Sequence, residues 1–153
     1  PRENGAGDII VFGTFIGACS SMLRRSACPD AGFDEAIPVA SDWLFLIESA
    51  ARGGSIRFIP EVLGGHRRHA NNITNRNLGL DEQFRTLEII ESRYPHLHTP
   101  VQKGRGRLYY AQAVESLNDR RSGDARHAIY SSFRHGWYSW KLTARLLQSL
   151  VNR

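Results

Sequence analysis

A chain of 153 residues, 41% of them hydrophobic, can bury one ordinary core and is too short for two large domains. Two cysteines, Cys19 and Cys28, exclude a disulfide framework and lack partners at zinc-site spacing, so they read as reduced, partly buried thiols in a cytosolic setting. No run approaches the roughly 18 apolar residues that span a bilayer, and no secretory signal pattern opens the chain.

The net charge of +5 is unevenly spread. Residues 1 to 98 carry ten Lys/Arg against twelve Asp/Glu, and residues 99 to 153 carry ten against three, which gives −2 and +7. The basic tail reads first as solvated helix surface and next as a contact for anionic lipid headgroups. No RNA- or DNA-reading signature accompanies the charge, so nucleic acid is not an expected partner.

In chain order, Ile9 to Leu23 mixes small and apolar residues with Gly13, Gly17 and Ala18. It reads as a strand passing close to another backbone or a ligand. Pro29 to Gly32 is a turn, and Pro38 delays the next helix until Ser41, a natural N-cap. From Asp42, the residues Trp43, Leu46, Ile47 and Ala50 recur at helical spacing until Gly53-Gly54 stops them. Ser55 to Ile59 alternates with period two and ends at Pro60, which predicts a short strand, and Val62 to His69 continues extended. Asn71 to Asn75 is a polar loop whose Asn-Ile-Thr fits a glycosylation acceptor pattern without a secretion signal to use it.

Helices follow. Leu80, Phe84, Leu87, Ile89 and Ile90 share one side of a helix closed by Pro95, and Leu108 to Leu117 suits a second. Ser122-Gly123 is read as the break before a third helix, Asp124 to His135, in a hairpin of the tetratricopeptide sort. A fourth runs from Trp140 to Val151. Trp137, Tyr138 and Trp140 with Lys141 and Arg145 either place it at a membrane surface or pack it on the preceding helices, and packing is the preferred reading.

Taken together, Gly32-Phe33-Asp34-Glu35, Asp42-Trp43, Gly53-Gly54, Ile59-Pro60-Glu61-Val62-Leu63 and the Arg-x-His of Arg67 and His69 form an ordered series. It resembles the acceptor-side half of family 2 glycosyltransferases over residues 9 to 75. The resemblance implies an α/β fold. Residues 1–77 would be part of a GT-A, nucleotide-diphospho-sugar transferase domain with short strands and a base-bearing helix. Residues 78–153 would be an α-helical C-terminal extension. It further implies an inverting, hexosyltransferase-like enzyme of polysaccharide biosynthesis that moves a sugar from a nucleotide-diphosphate sugar to a glycan or lipid-linked acceptor hydroxyl. A divalent metal, Mn²⁺ or Mg²⁺, is implied as cofactor, with its main ligands in the nucleotide-sugar half that should precede these residues. The segment is therefore expected to be a fragment, inactive alone, and to sit in the cytoplasm or at the inner face of the membrane.

Spacing alone makes Asp42 a first-turn helix residue; the resemblance makes it the general base that takes the acceptor proton. A helix N-terminus favours negative charge, which suits a base. By resemblance Trp43 lies beside the acceptor, Arg67 grips the leaving diphosphate in the bidentate manner open to a guanidinium, and His69 helps to hold metal or diphosphate. Asp34 and Glu35 either face solvent or pair with Arg24 or Arg25 on a turn that buries Phe33, or they hydrogen-bond sugar hydroxyls. Ser21 and Arg24 fall where the family's chain runs under the donor sugar. A free-standing metal site at His66 and His69 is disfavoured, since carboxylate or thiolate partners do not cluster around them. The rivals are a basic helical binding module and a degenerate transferase that keeps its shape for assembly.

Overall fold

A computed structural model describes residues 5–13, 16–53, 56–65, 67, 79–138, 140, 141 and 144. Five helices appear among them: α1 (Ala6–Phe12), α2 (Ser41–Ala51), α3 (Leu80–Arg93), α4 (His98–Asn118) and α5 (Ser122–Arg134). Helix takes up 64% of these residues and strand 1%, with no sheet, so the α/β, partial GT-A architecture implied by the resemblance is overturned. The period-two stretch after Gly53 retains an isolated bridge at Ile56 and is otherwise irregular. Among the described residues no strand lies beside it, and alternation alone does not make a sheet.

The expected strand from Ile9 is also corrected, because α1 covers that region. Ala6, Ile9 and Ile10 are buried, at the i, i+3, i+4 spacing of a helix face. Gly13 ends the helix at φ 81° and ψ −166°, a conformation close to glycine-only, while its N–H donates to the Ile9 carbonyl at 3.0 Å. A short 3₁₀ turn at Ala18–Ser20 follows.

α4 runs alongside α1 in the same direction. Pro100, Gly104 and Arg107 successively meet Gly7, Ile10 and Gly13. A Cβ on Gly104 would stand 3.1 Å from both the Ile10 carbonyl oxygen and its Cγ2, so only glycine lets the helices approach this closely. Gly106 does the same for the far end of α5, where a Cβ would lie 2.6 Å from Trp137 Cβ and 3.2 Å from the Ser132 carbonyl oxygen. Ser132 Oγ donates to the Gly106 carbonyl at 2.8 Å in this buried contact. Glycine costs a helix about 1 kcal/mol relative to alanine, and the two close approaches offset that cost. Gly106→Val is therefore expected to destabilise the fold by about 2–3 kcal/mol through overpacking, read as a lower urea midpoint at unchanged slope. An unchanged midpoint would mean that α4 and α5 separate without penalty.

The hairpin between α4 and α5 turns at Asp119 to Arg121, one step earlier than the Ser122-Gly123 break read from the sequence. Arg120 adopts φ 59°, its N–H donates to Leu117 at 3.1 Å, and that of Arg121 donates to Ser116 at 2.7 Å. This is the paired bonding of a Schellman cap with arginine in glycine's usual place. Gly136 and Trp137 repeat the pattern after α5, donating to Phe133 at 2.9 Å and Ser132 at 3.1 Å. The expected last helix is described only at residues 140, 141 and 144.

The main core joins Ile9 and Ile10 of α1, Ile37, Trp43, Leu44 and Ile47 around α2, Leu87 and Ile90 of α3, and Val101 and Leu108 of α4. It draws on both sides of residue 77. A second cluster of Ala113, Ala128 and Ile129 lies between α4 and α5. None of the described helices is long and apolar enough to cross a membrane.

Candidate functional site

α2 begins with the sequence that the resemblance singles out, and three contacts fix where it begins. Ser41 does not cap it. The N-cap is Ala40, without a side-chain cap bond. Instead, the Glu82 carboxylate of α3 accepts the N–H groups of Val39 at 2.7 Å and Ala40 at 2.9 Å, tying the entering chain to a second helix by charge-assisted bonds. Trp43 is 1% exposed, and its Nε1–H donates to the Ile9 carbonyl at 3.1 Å, which pins the first turn to α1. Farther along, buried Glu48 accepts from Arg93 of α3 at 2.7 Å, and this bond holds the guanidinium above its ordinary range.

Asp42 sits in that first turn, half-buried. Among the described residues it forms no ion pair. The carboxylate therefore stands, without an ion pair among the described residues, on a helix turn held by an indole and a second carboxylate.

The other residues of the series fall in several places. Trp43 is a core residue, so the expected position beside an acceptor does not fit its burial. Asp34 Oδ1 accepts the Ala36 N–H at 3.0 Å, an Asx turn of the kind aspartate makes locally. Glu35 is exposed. Neither acid pairs with Arg24 or Arg25 among the described residues. Phe33 is 57% exposed rather than buried, although its ring stacks on Phe45 of α2 at 4.5 Å. Ser21 Oγ donates to the Gly17 carbonyl at 2.7 Å, and Arg24 is exposed, its carbonyl accepting from Cys28 Sγ at 3.4 Å. Arg67 is exposed and engaged. His69, His66 and the Asn71 to Asn75 loop lie outside the described residues.

Sequence reasoning missed Arg107. Its guanidinium lies 5.8 Å from the centre of the Trp43 ring and against Gly13. One nitrogen donates to Gln83 Oε1 at 3.4 Å, while the buried Nε has no partner. No carboxylate pairs with it among the described residues, and burial pushes its pKa below the usual arginine range. Its one sequence signal is its place immediately before the helix expected from Leu108.

A polar network also joins α3, α4 and α5. Glu91 takes Arg105 at 2.8 Å, His98 at 2.8 Å and Gln102 at 3.0 Å. Burial works against the Glu91 charge, yet these bonds hold the carboxyl below its usual range. Gln102 turns its oxygen to His135 Nδ1–H at 2.7 Å, and burial with neighbouring Arg105 and Arg134 lowers the imidazole pKa.

Among the described residues no three His, Cys, Asp or Glu side chains gather as a metal site would require. A shallow groove of about 420 Å³ runs between α1 and the start of α4, lined by Asp8, Val11, Phe12, Pro100 and Lys103 among others. None of the residues marked by the resemblance lines it. Compared with protein-family models, curated proteins and solved structures, the chain finds no match. The resemblance thus stands on the motif series alone.

Proposed function

We propose that this segment supplies the acceptor side of an inverting glycosyltransferase, with Asp42 as the general base. One observation carries the reading: the Asp42 carboxylate, unpaired among the described residues, stands on the first turn of a helix that Trp43 and Glu82 hold in place. Preorganisation of this kind is what a single-base displacement needs. The acceptor oxygen bonds to the anomeric carbon as its proton passes to an Asp42 oxygen. The bond from that carbon to the diphosphate oxygen breaks with its electron pair, and the anomeric configuration inverts. Arg67, on the exposed stretch after Val62 and Leu63, is the residue in view that suits the departing diphosphate. The divalent metal would offset charge on the leaving group, and its ligands are proposed to lie outside this segment.

The exposed Phe58, Ile59, Val62 and Leu63, four large apolar side chains within six residues, suit packing against further polypeptide. The nucleotide pocket is assigned to that polypeptide. The test has two arms. The isolated chain is expected to bind nucleotide-diphosphate sugars poorly in calorimetry with Mn²⁺ or Mg²⁺, and micromolar affinity would contradict the division of labour. The same chain, expressed with the coding sequence upstream of Pro1, is expected to release nucleoside diphosphate and to give a product of inverted anomeric configuration by NMR. A retained configuration would remove the single-base mechanism.

A further inference from the structure

We propose that the aromatic and cationic face running from the outer side of α5 into residues 138–141 docks the protein on an anionic lipid surface. This goes beyond sugar transfer and does not depend on Asp42. Tyr130, Tyr138 and Trp140 are 61%, 72% and 77% exposed, three large amphipathic rings on consecutive stretches of chain. The packing of this segment on the preceding helices, preferred from the sequence, is met by Trp137, whose Cβ crowds Gly106. Tyr138 reaches Phe133 of α5 with one side of its ring and otherwise stays exposed, as Trp140 does; Leu147 and Val151 of the expected last helix lie outside the described residues. With Trp137 seated and its N–H bonded to Ser132 at 3.1 Å, the chain leaving α5 is fixed and presents its neighbours outward.

The described residues that follow Asp124 include Arg134 and Lys141, both exposed, and no Asp or Glu. After Asp124 the sequence contains no Asp or Glu, while Arg126, Arg134, Lys141, Arg145 and Arg153 follow. The preceding acids, Asp119 and Asp124, are both bonded to Arg121, at 3.0 and 3.1 Å. Exposed His127 shares the outer face of α5 with Tyr130 and Arg134, one and two turns apart. Basic residues beside interfacial Trp and Tyr are the composition that binds headgroups electrostatically and seats rings at the acyl boundary.

The same composition could stack nucleic-acid bases, but the ring contacts leave less surface for it. Arg134 lies 6.0 Å from the centre of the Tyr130 ring and Lys141 6.0 Å from that of Trp140, while Tyr138 lies 5.7 Å from Phe133. Each ring has one side engaged by its own chain, which leaves a single side for a base to stack on. Side-on entry into a headgroup layer leaves those contacts intact.

The experiment is flotation of the 153-residue protein with vesicles of phosphatidylcholine alone and with one third phosphatidylglycerol, alongside fluorescence anisotropy with poly(U). Recovery is expected with the anionic vesicles at low salt, little with the neutral ones, and a fall at high salt. Each basic residue near such a surface contributes about 1 kcal/mol, so Arg134→Gln and Lys141→Gln should each weaken partitioning about fivefold and together about 30-fold. Trp140→Ala should weaken it further in the same assay. These side chains are exposed, and unchanged thermal melts establish that the variants fold. Equal recovery on both vesicle types, a double variant that floats like the wild type, or tighter binding to poly(U) than to anionic vesicles would each overturn the proposal.

Discussion

Asp42→Asn is expected to lower sugar transfer by about 10²–10⁴-fold in kcat, the range that a positioned general base contributes. The amide is nearly isosteric and can still accept a hydrogen bond, but it cannot carry away the proton that the acceptor hydroxyl must lose. The acceptor KM should therefore change little while kcat falls, the pattern of an interaction made only in the transition state. A binding role would show the reverse split, with KM raised and kcat kept. No ion pair is lost, because none holds Asp42 among the described residues. The thermal melt should stay within a degree or so, since a surface substitution of this kind usually moves stability by less than about 0.5 kcal/mol. The assay is nucleoside diphosphate release by the protein carrying its upstream sequence. A rate within twofold of wild type would take the base away from Asp42 and favour a shape kept for assembly.

The helices that declare themselves in the sequence have an uninterrupted apolar period. α2 and α3 were legible because Trp43, Leu46 and Ile47, then Leu87 and Ile90, recur at helical spacing and do become core. α1 and the start of α4 were not legible, for one shared reason. Gly7, Gly104, Gly106 and Pro100 look like breakers along the chain, and only tertiary packing shows that all four sit where α1, α4 and the end of α5 touch. Ser41 offered a local cap, yet the capping carboxylate is Glu82, 42 residues from Ala40. The strands were overread because alternation at Ser55 to Ile59 describes a face, and among the described residues no strand stands beside it. At the site, the first-turn position of Asp42 could be read from spacing. The burial of Trp43 and the stranded guanidinium of Arg107 depend on α1 and α4 meeting at Gly13, which no local pattern announces.

Trp43→Ala should cost about 3–5 kcal/mol, the range for removing a fully buried large aromatic, out of a total of about 5–15 kcal/mol for an ordinary domain. The indole joins α1 to α2 through its bond to the Ile9 carbonyl. Deleting it does not orphan that oxygen, since the Gly13 N–H still reaches it at 3.0 Å. The loss is carried by the cavity and by Arg107, which among the described residues has no other aromatic cover and no carboxylate to turn to. A cation–π contact shielded from water is worth up to about 2 kcal/mol, so the half-buried cation adds to the cavity term. Trp43→Phe separates the contributions: it keeps a ring over Arg107 and forgoes the indole hydrogen bond, a net loss of about 1 kcal/mol plus a smaller void. Urea titration should show the order wild type, Phe, Ala in midpoint. Sugar transfer by the Phe variant should retain the wild-type acceptor KM, because a ring that is 1% exposed supports Asp42 from below rather than touching the acceptor. A raised acceptor KM with an unchanged melt would instead put Trp43 at the acceptor and require the first turn of α2 to open.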